Sequence, residues 1–243
     1  MYIKTFVVFD INTVGYTVKK RDNIKIVEFT LMEVPREVFE KSDSEGFKPS
    51  NTMTQSINPQ VTVDVKKVKS NPRLSADNLK NHPIFRDVIK DVNKFLEDLP
   101  KPVCLVSLHG NRFDLKVLLT EYKRADETFP SDVLCVDSKA FFSVETDVQP
   151  DPIPDNKTEP VEELNVMFGK MTTKGKDKLY IQQLYRSLLK KEPPQSQTTE
   201  VKTDMHLRCL LRLKGPFLLW VDKNAKPISV IKPFGKHQDQ PAN

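Results

Sequence analysis

Between residues 82 and 142 the chain alternates between two hydrophobic periods, and this limits the fold more than any other feature. HPIFRDVIKDVNKFLEDL (82–99) carries apolar residues at 84, 85, 88, 89, 92, 95, 96 and 99, the spacing of a helix with one apolar face. Pro100 and Pro102 then stop it. VCLVSLHG (103–110) reads as a buried strand, NRFDLKVLLTEYKRA (111–125) as a helix, and VLCVDSKAFF (133–142) as a strand followed by a helix. This order predicts an α/β sheet covered by helices.

The flanking segments fit the same architecture. Residues 5–10, with FVVFD at their end, read as a central strand that stops on Asp10. IKIVEFTLMEV (24–34) alternates and reads as a second strand, reached through a GYTVKKRDN turn. Residues 36–60 are polar and rich in Pro, Ser and Asn, which predicts a loop, and VTVDVKKV (61–68) is a candidate third strand. The KKVK run at 66–69 suits an exposed edge guarded by lysines. Residues 143–165 are acidic and Pro-rich and 169–178 basic, so together they read as a long surface insertion acting as a linker. YIQQLYRSLLKK (180–191) and about 200–213 read as helices, the latter carrying Met205, Leu207, Cys209, Leu210 and Leu213. FLLWVDKNAKPISVI closes the chain with packing residues.

With 243 residues, 29% of them charged and 38% hydrophobic, the composition is that of a soluble globular chain long enough to bury a core. The net charge of +5 permits nucleic-acid binding without requiring it. Three widely spaced cysteines, Cys104, Cys135 and Cys209, match neither a disulfide framework nor a zinc site. They read as small buried hydrophobes in a reducing compartment. MYIKTFVVFD runs straight into a strand, so no secretory leader is expected, and no apolar stretch is long enough to span a membrane.

Three carboxylates fall at strand or helix ends: Asp10 after the first strand, Asp114 opening the helix that follows 103–108, and Asp204 on the last long helix. Strand carboxyl ends are where α/β sheets bind ligands. Converging acids there are what a two-metal phosphodiesterase needs, to hold two divalent ions about 3.5–4 Å apart.

Taken in order, FVVFDINTVGY, PVCLVSLHGNRFDLKVLLTEY, LCVDS, LYIQQLYRSLLKKEPPQSQTTE and LLWVDKNAKPISVIKP resemble the three-prime repair exonucleases, a family of DEDDh 3′→5′ exonucleases. The resemblance spans about residues 5–234. It implies a ribonuclease H-like (exonuclease) fold, a mixed five-stranded sheet flanked by helices, as one domain over 1–234. Polar loops would interrupt it at about 36–60 and 143–178, with 235–243 a flexible tail.

The resemblance also defines where the chain departs from the family pattern. Asp-x-Glu on the first strand becomes Asp10 and Asn12. The second motif keeps Asp114, with Arg112 and Phe113 before it, but Leu108 stands at its His and His109 at the following Asn. The last motif, His-x-Ala-x-x-Asp in a context like PPDSHTAEGD, reads PPQSQTTEVK. Gln197 then stands at the general base and Lys202 at the final metal-binding acid. An amide does not titrate near neutral pH, so Gln197 removes the base. An ammonium at Lys202 repels a divalent ion, by roughly 4 kcal/mol per unit charge at about 4 Å and an effective dielectric near 20. Shifting the last motif by two residues would bring Asp204 to the acid's place instead, with Thr199 at the His position and His206 close by.

The resemblance therefore implies a pseudo-exonuclease with no intact catalytic set, Asp10, Asn12, Asp114, Gln197 and Lys202 being vestigial. No metal cofactor is expected. It would act as a nucleic-acid- or protein-binding scaffold, with Tyr16, Lys19, Lys20, Arg112 and Lys202 as candidate nucleic-acid contacts and a homodimer allowed through an edge strand. The alternative is a weak Mg²⁺- or Mn²⁺-dependent exonuclease on single-stranded DNA or RNA, built on Asp10, Asp114 and Asp204. The pattern of loss is similar to that of the exonuclease-like domain of vertebrate promyelocytic leukaemia proteins and their stand-alone fish relatives. That implies a nuclear or nucleolar place, with the cytoplasm as the alternative, and no secretion.

Overall fold

The computed structural model describes residues 2–15, 23–61, 71–144 and 180–234. Its spine is β1 (Thr5–Val14), in which nearly every side chain is buried. A strand buried on both faces must be flanked by strands and covered on two sides. Antiparallel β2 (Lys25–Pro35) lies on one side of it and parallel β4 (Val103–Ser107) on the other. Outside β2 lies β3 (Asn51–Ser56), and beyond β4 come β5 (Leu134–Asp137) and the two-residue β6 (Lys226–Pro227). The order is β3-β2-β1-β4-β5-β6, a mixed sheet.

Side-chain alternation along β1 divides the core. Phe6 and Val8 face a layer built from α5 (Ser138–Val144), α6 (Tyr180–Leu189), α7 (Thr199–Arg212) and α8 (Lys214–Asn224). Val7, Phe9 and Ile11 face α3 (Phe85–Glu97) and α4 (Leu115–Arg124). After the one-turn α2 (Ala76–Leu79), the helix read over 82–99 is α3, and it buries Phe85, Val88, Ile89, Val92 and Leu96 along one stripe. Asp87 Oδ2 accepts from the backbone N–H of Ile84 at 3.3 Å and secures the first turn. All three cysteines are buried and free.

Three local expectations need correction. The polar stretch 36–60 is not all loop: it contains α1 (Arg36–Lys41) and β3. NTMTQS lacks a strand's apolar signature because β3 is an edge strand, held by its backbone ladder to β2 and by a 2.9 Å Thr30–Thr54 hydroxyl contact. The strand read over 61–68, with the KKVK run, lies outside the described residues apart from Val61, an exposed bend. Among the described residues the sheet has six strands rather than five, because Lys226 and Pro227 pair with Cys135 and Leu134. The helix read from 111 begins as a wide turn, Gly110–Asp114, before α4 proper. The insertion at 143–178 falls almost wholly outside the described residues, as does the tail 235–243.

One buried ion pair closes the amino-terminal end of the sheet. Arg36 donates from Nη1 and Nη2 to the two carboxylate oxygens of Asp222, at 2.8 Å each, and from Nε to Glu40 at 2.8 Å. The ring of Tyr2 lies over its guanidinium at 4.4 Å. The fork thus joins α1 to α8. Asp222→Ala leaves a buried guanidinium with half its partners, and urea unfolding should show a loss of about 2–3 kcal/mol.

Candidate functional site

The parallel ladder between β1 and β4 ends at Phe9↔Ser107, whereas β1 continues to Val14. Asp10 therefore does not end its strand; it is the first β1 residue past the end of β4. This leaves a recess past the carboxyl end of β4, alongside the second half of β1. Asp10 and Asn12, two residues apart, point to the face covered by α7. Across the recess, the wide turn 110–114 delivers Asp114, which is buried.

The first turn of α7 supplies the third wall. Thr198 caps the helix through Val201 N–H, and Lys202 reaches back toward β1. Its Nζ lies 2.6 Å from Asp10 Oδ2 and donates to Asn12 Oδ1 at 2.9 Å. The contact to Asp10 is an ion pair without good hydrogen-bond alignment. A cation in a helix's first turn opposes the helix dipole, so the cleft oxygens hold this ammonium in place. Lys202, not Asp204, faces Asp10. Asp204 pairs with Arg208 Nε at 2.7 Å one turn along α7, and Arg208 also binds the carbonyl of Ser44 at 2.8 Å.

Asn12 uses both ends of its amide. While Oδ1 accepts from Lys202, Nδ2 donates to Glu28 Oε2 at 2.8 Å and to the Gln197 carbonyl at 3.0 Å. Glu28 is fully buried on β2, directly opposite Asn12. The same Oε2 accepts from Asn71 Nδ2 at 2.9 Å and from the backbone N–H of Thr199 at 3.0 Å. Arg73 lies 3.8 Å from the other oxygen. A carboxylate at position 12 could not donate to Glu28 and would repel it. Glu28 was missed in the sequence, where alternation counts it as an ordinary polar position. The available signal was a lone acid inside the apolar run IKIVEFTL.

The two cleft acids resist ionisation. Burial pushes Asp10 up to about 6; Lys202 opposes that shift and Asp114 adds to it. Burial likewise pushes Asp114 up to about 6, against the hydrogen bond from Ser107 and the charge of Lys202. Asp114 also accepts from the His109 N–H at 3.3 Å. Nearby Asp137 is held by the N–H groups of Asn111 and Lys139 at 3.0 and 3.1 Å.

The other candidates lie apart from this contact. Gln197 contributes its backbone carbonyl to the site, while its side chain bonds back to Gln195 at 3.4 Å. His206 does not reach the cleft; it is buried against Ser138 Oγ at 2.7 Å, and burial depresses it to about 3. Arg112 is exposed, and its charge acts on Asp137. Tyr16, Lys19 and Lys20 lie outside the described residues. Among the described residues no group of three His, Cys, Asp or Glu side chains is placed to hold a metal ion. The residues present do not fit a divalent cation: an ammonium fills the place beside Asp10, and the only oxygen Asn12 offers is already taken.

Comparison with known proteins places the fold. No protein-family model matches the chain. Three-prime repair exonuclease 1 of Bos taurus is 29% identical over 150 residues, 61% of this chain but only 41% of the bovine protein. Among solved structures, a full-length 3′-exonuclease superposes with a TM-score of 0.55 at 11% identity, covering 88% of this chain and 84% of that one. Cell-death related nuclease 4 does so at 0.55 and 12%, covering 93% and 66%. The chain has an exonuclease fold like that of the three-prime repair exonucleases, of the ribonuclease H-like type.

The cleft charges set a pH signature. Raised carboxyl pKa values mean that the folded state holds protons more tightly than the unfolded chain. Their contribution is therefore full below about pH 4 and is lost as pH rises through about 6. Lys202 offsets this loss by pairing with the ionised form. Lys202→Met should then cost about 2 kcal/mol at pH 8 and clearly less at pH 5, measured by urea unfolding at both values.

Proposed function

We propose that this chain is a pseudo-exonuclease, a nuclease fold that has given up hydrolysis and serves as a binding scaffold for nucleic acid or protein. The observation that carries the reading is the 2.6 Å approach of the Lys202 ammonium to Asp10. Two-metal hydrolysis stabilises the attacking and leaving oxygens with divalent ions held by clustered acids. In place of a second acid the cleft has the Asn12 amide, and in place of a metal it has a fixed, non-exchangeable monovalent charge. Gln197 offers no titrating group, and neutral His206 faces away into the core. Catalytic groups act as a unit, so their joint replacement removes the rate rather than trimming it.

Binding does not need the metal. Two raised carboxyls face one ammonium on the cleft floor, which is a poor seat for a phosphate. Lys202 itself is engaged by Asp10 and Asn12. A single strand would instead follow the rim, where Arg112 is exposed; Tyr16, Lys19 and Lys20, which follow β1 in the sequence, are its other candidate contacts. Stacking on Tyr16 would supply about 1–3 kcal/mol. Placement in the nucleus or cytoplasm, with protein partners, belongs to the same reading.

The test is degradation of a 3′-labelled single-stranded oligonucleotide with Mg²⁺ and with Mn²⁺, beside an Asp10→Ala control. The expected result is no turnover at high protein concentration and no shift in melting temperature with either ion. Turnover that Asp10→Ala abolishes would overturn the reading in favour of a weak exonuclease.

A further inference from the structure

A second concavity lies across the sheet from the cleft. It has a volume of about 240 Å³ and sits between the start of β2, the loop after β3, the start of α3 and the end of α4. The face changes because β2 bulges at Val27: Glu28 pairs with Asn12, Ile26 with Thr13, and Val27 is skipped. Glu28 thus serves the cleft, while Ile26 turns into the α3/α4 layer.

Three cations line this cavity, Lys25, Arg86 and Arg124, against one carboxylate, Glu121. Each is held by a contact within the wall. Glu121 is buried, pairs with Arg124, and lies 3.8 Å from Lys25 Nζ. Arg124 also donates to the Ile24 carbonyl, and Arg86 donates to the Ala125 carbonyl at 3.2 Å. One carboxylate neutralises one cation. The remaining positive charge is gathered at one concavity, which concentrates its field. Arginine forks match tetrahedral oxyanions. Pro59 and Ile84 add flat and branched apolar surface to the walls. The volume falls just below the ~300–1,000 Å³ of drug-sized pockets.

We infer that this cavity binds a small phosphomonoester with a compact apolar body. The site is independent of the cleft and of its loss of chemistry. The probe is a nucleoside monophosphate, titrated calorimetrically at low ionic strength, with inorganic phosphate as a second arm. Arg86→Glu is an exposed change that leaves the core intact, and Lys25→Glu is the second variant; both are checked for unchanged melting. Saturable nucleotide binding is expected, weakened about tenfold or more in each variant and unchanged in Asp10→Ala. Inorganic phosphate should bind more weakly, because it leaves the apolar wall unused. Four results would overturn the assignment: no saturation at millimolar nucleotide, equal affinity in the charge-reversed variants, inorganic phosphate binding as tightly as the nucleotide, or loss of binding in Asp10→Ala.

Discussion

Glu28 is a carboxylate with no exposed surface in the middle of a sheet, and much of the cleft is arranged around what such a group requires. A buried charge survives only if donors surround it. Here a single oxygen gathers three, from β1, from residue 71 and from the first residue of α7. Those contacts pin three segments, distant in sequence, at one point. They fix where α7 begins, and a helix's regular rise then fixes where Lys202 falls. The approach of Lys202 to Asp10 is thus a downstream result of how Glu28 is satisfied.

The same requirement explains the amide at position 12. Between a buried carboxylate and an ammonium, a side chain must accept on one side and donate on the other. Asparagine does both in the length available. The bland view of Asn12 is a lost acid; its contacts show a positive role, joining Glu28, the Gln197 carbonyl and Lys202. Thr30 extends this polar seam from β2 to α7 through a 2.8 Å hydroxyl contact with Thr199, whose carbonyl accepts from Thr203 Oγ1 at 2.7 Å within the helix.

The sequence revealed most where periodicity was strong. The α3, β4, α4 and β5 run was legible because each element has one clean apolar pattern, and the nuclease-like fold followed from the motif order. β3 was illegible because an edge strand needs only its backbone, and NTMTQS offers no burial signal. The extension of β1 past Asp10 was hidden by polar residues that face a recess rather than solvent. β6 is too short, and too proline-bound, to leave a pattern. In the site, the register of the last motif in the family resemblance made position 202 legible, but the role of Glu28 was not, since its partners are up to 171 residues away. The cavity lined by Lys25, Arg86 and Arg124 left no linear trace because four separate segments build it.

The junction of Asn12, Glu28 and Lys202 also constrains how the sequence can change over evolutionary time. An acid at 12 would meet Glu28 as a like charge, and an acid at 202 would meet Asp10 as one. Neither position can move alone without first passing through a less stable chain. A metal-holding cleft at this place would need several coordinated substitutions, each unfavourable until the ion is bound. The three positions are therefore coupled, and a substitution at one should be tolerated only with a matching change at another.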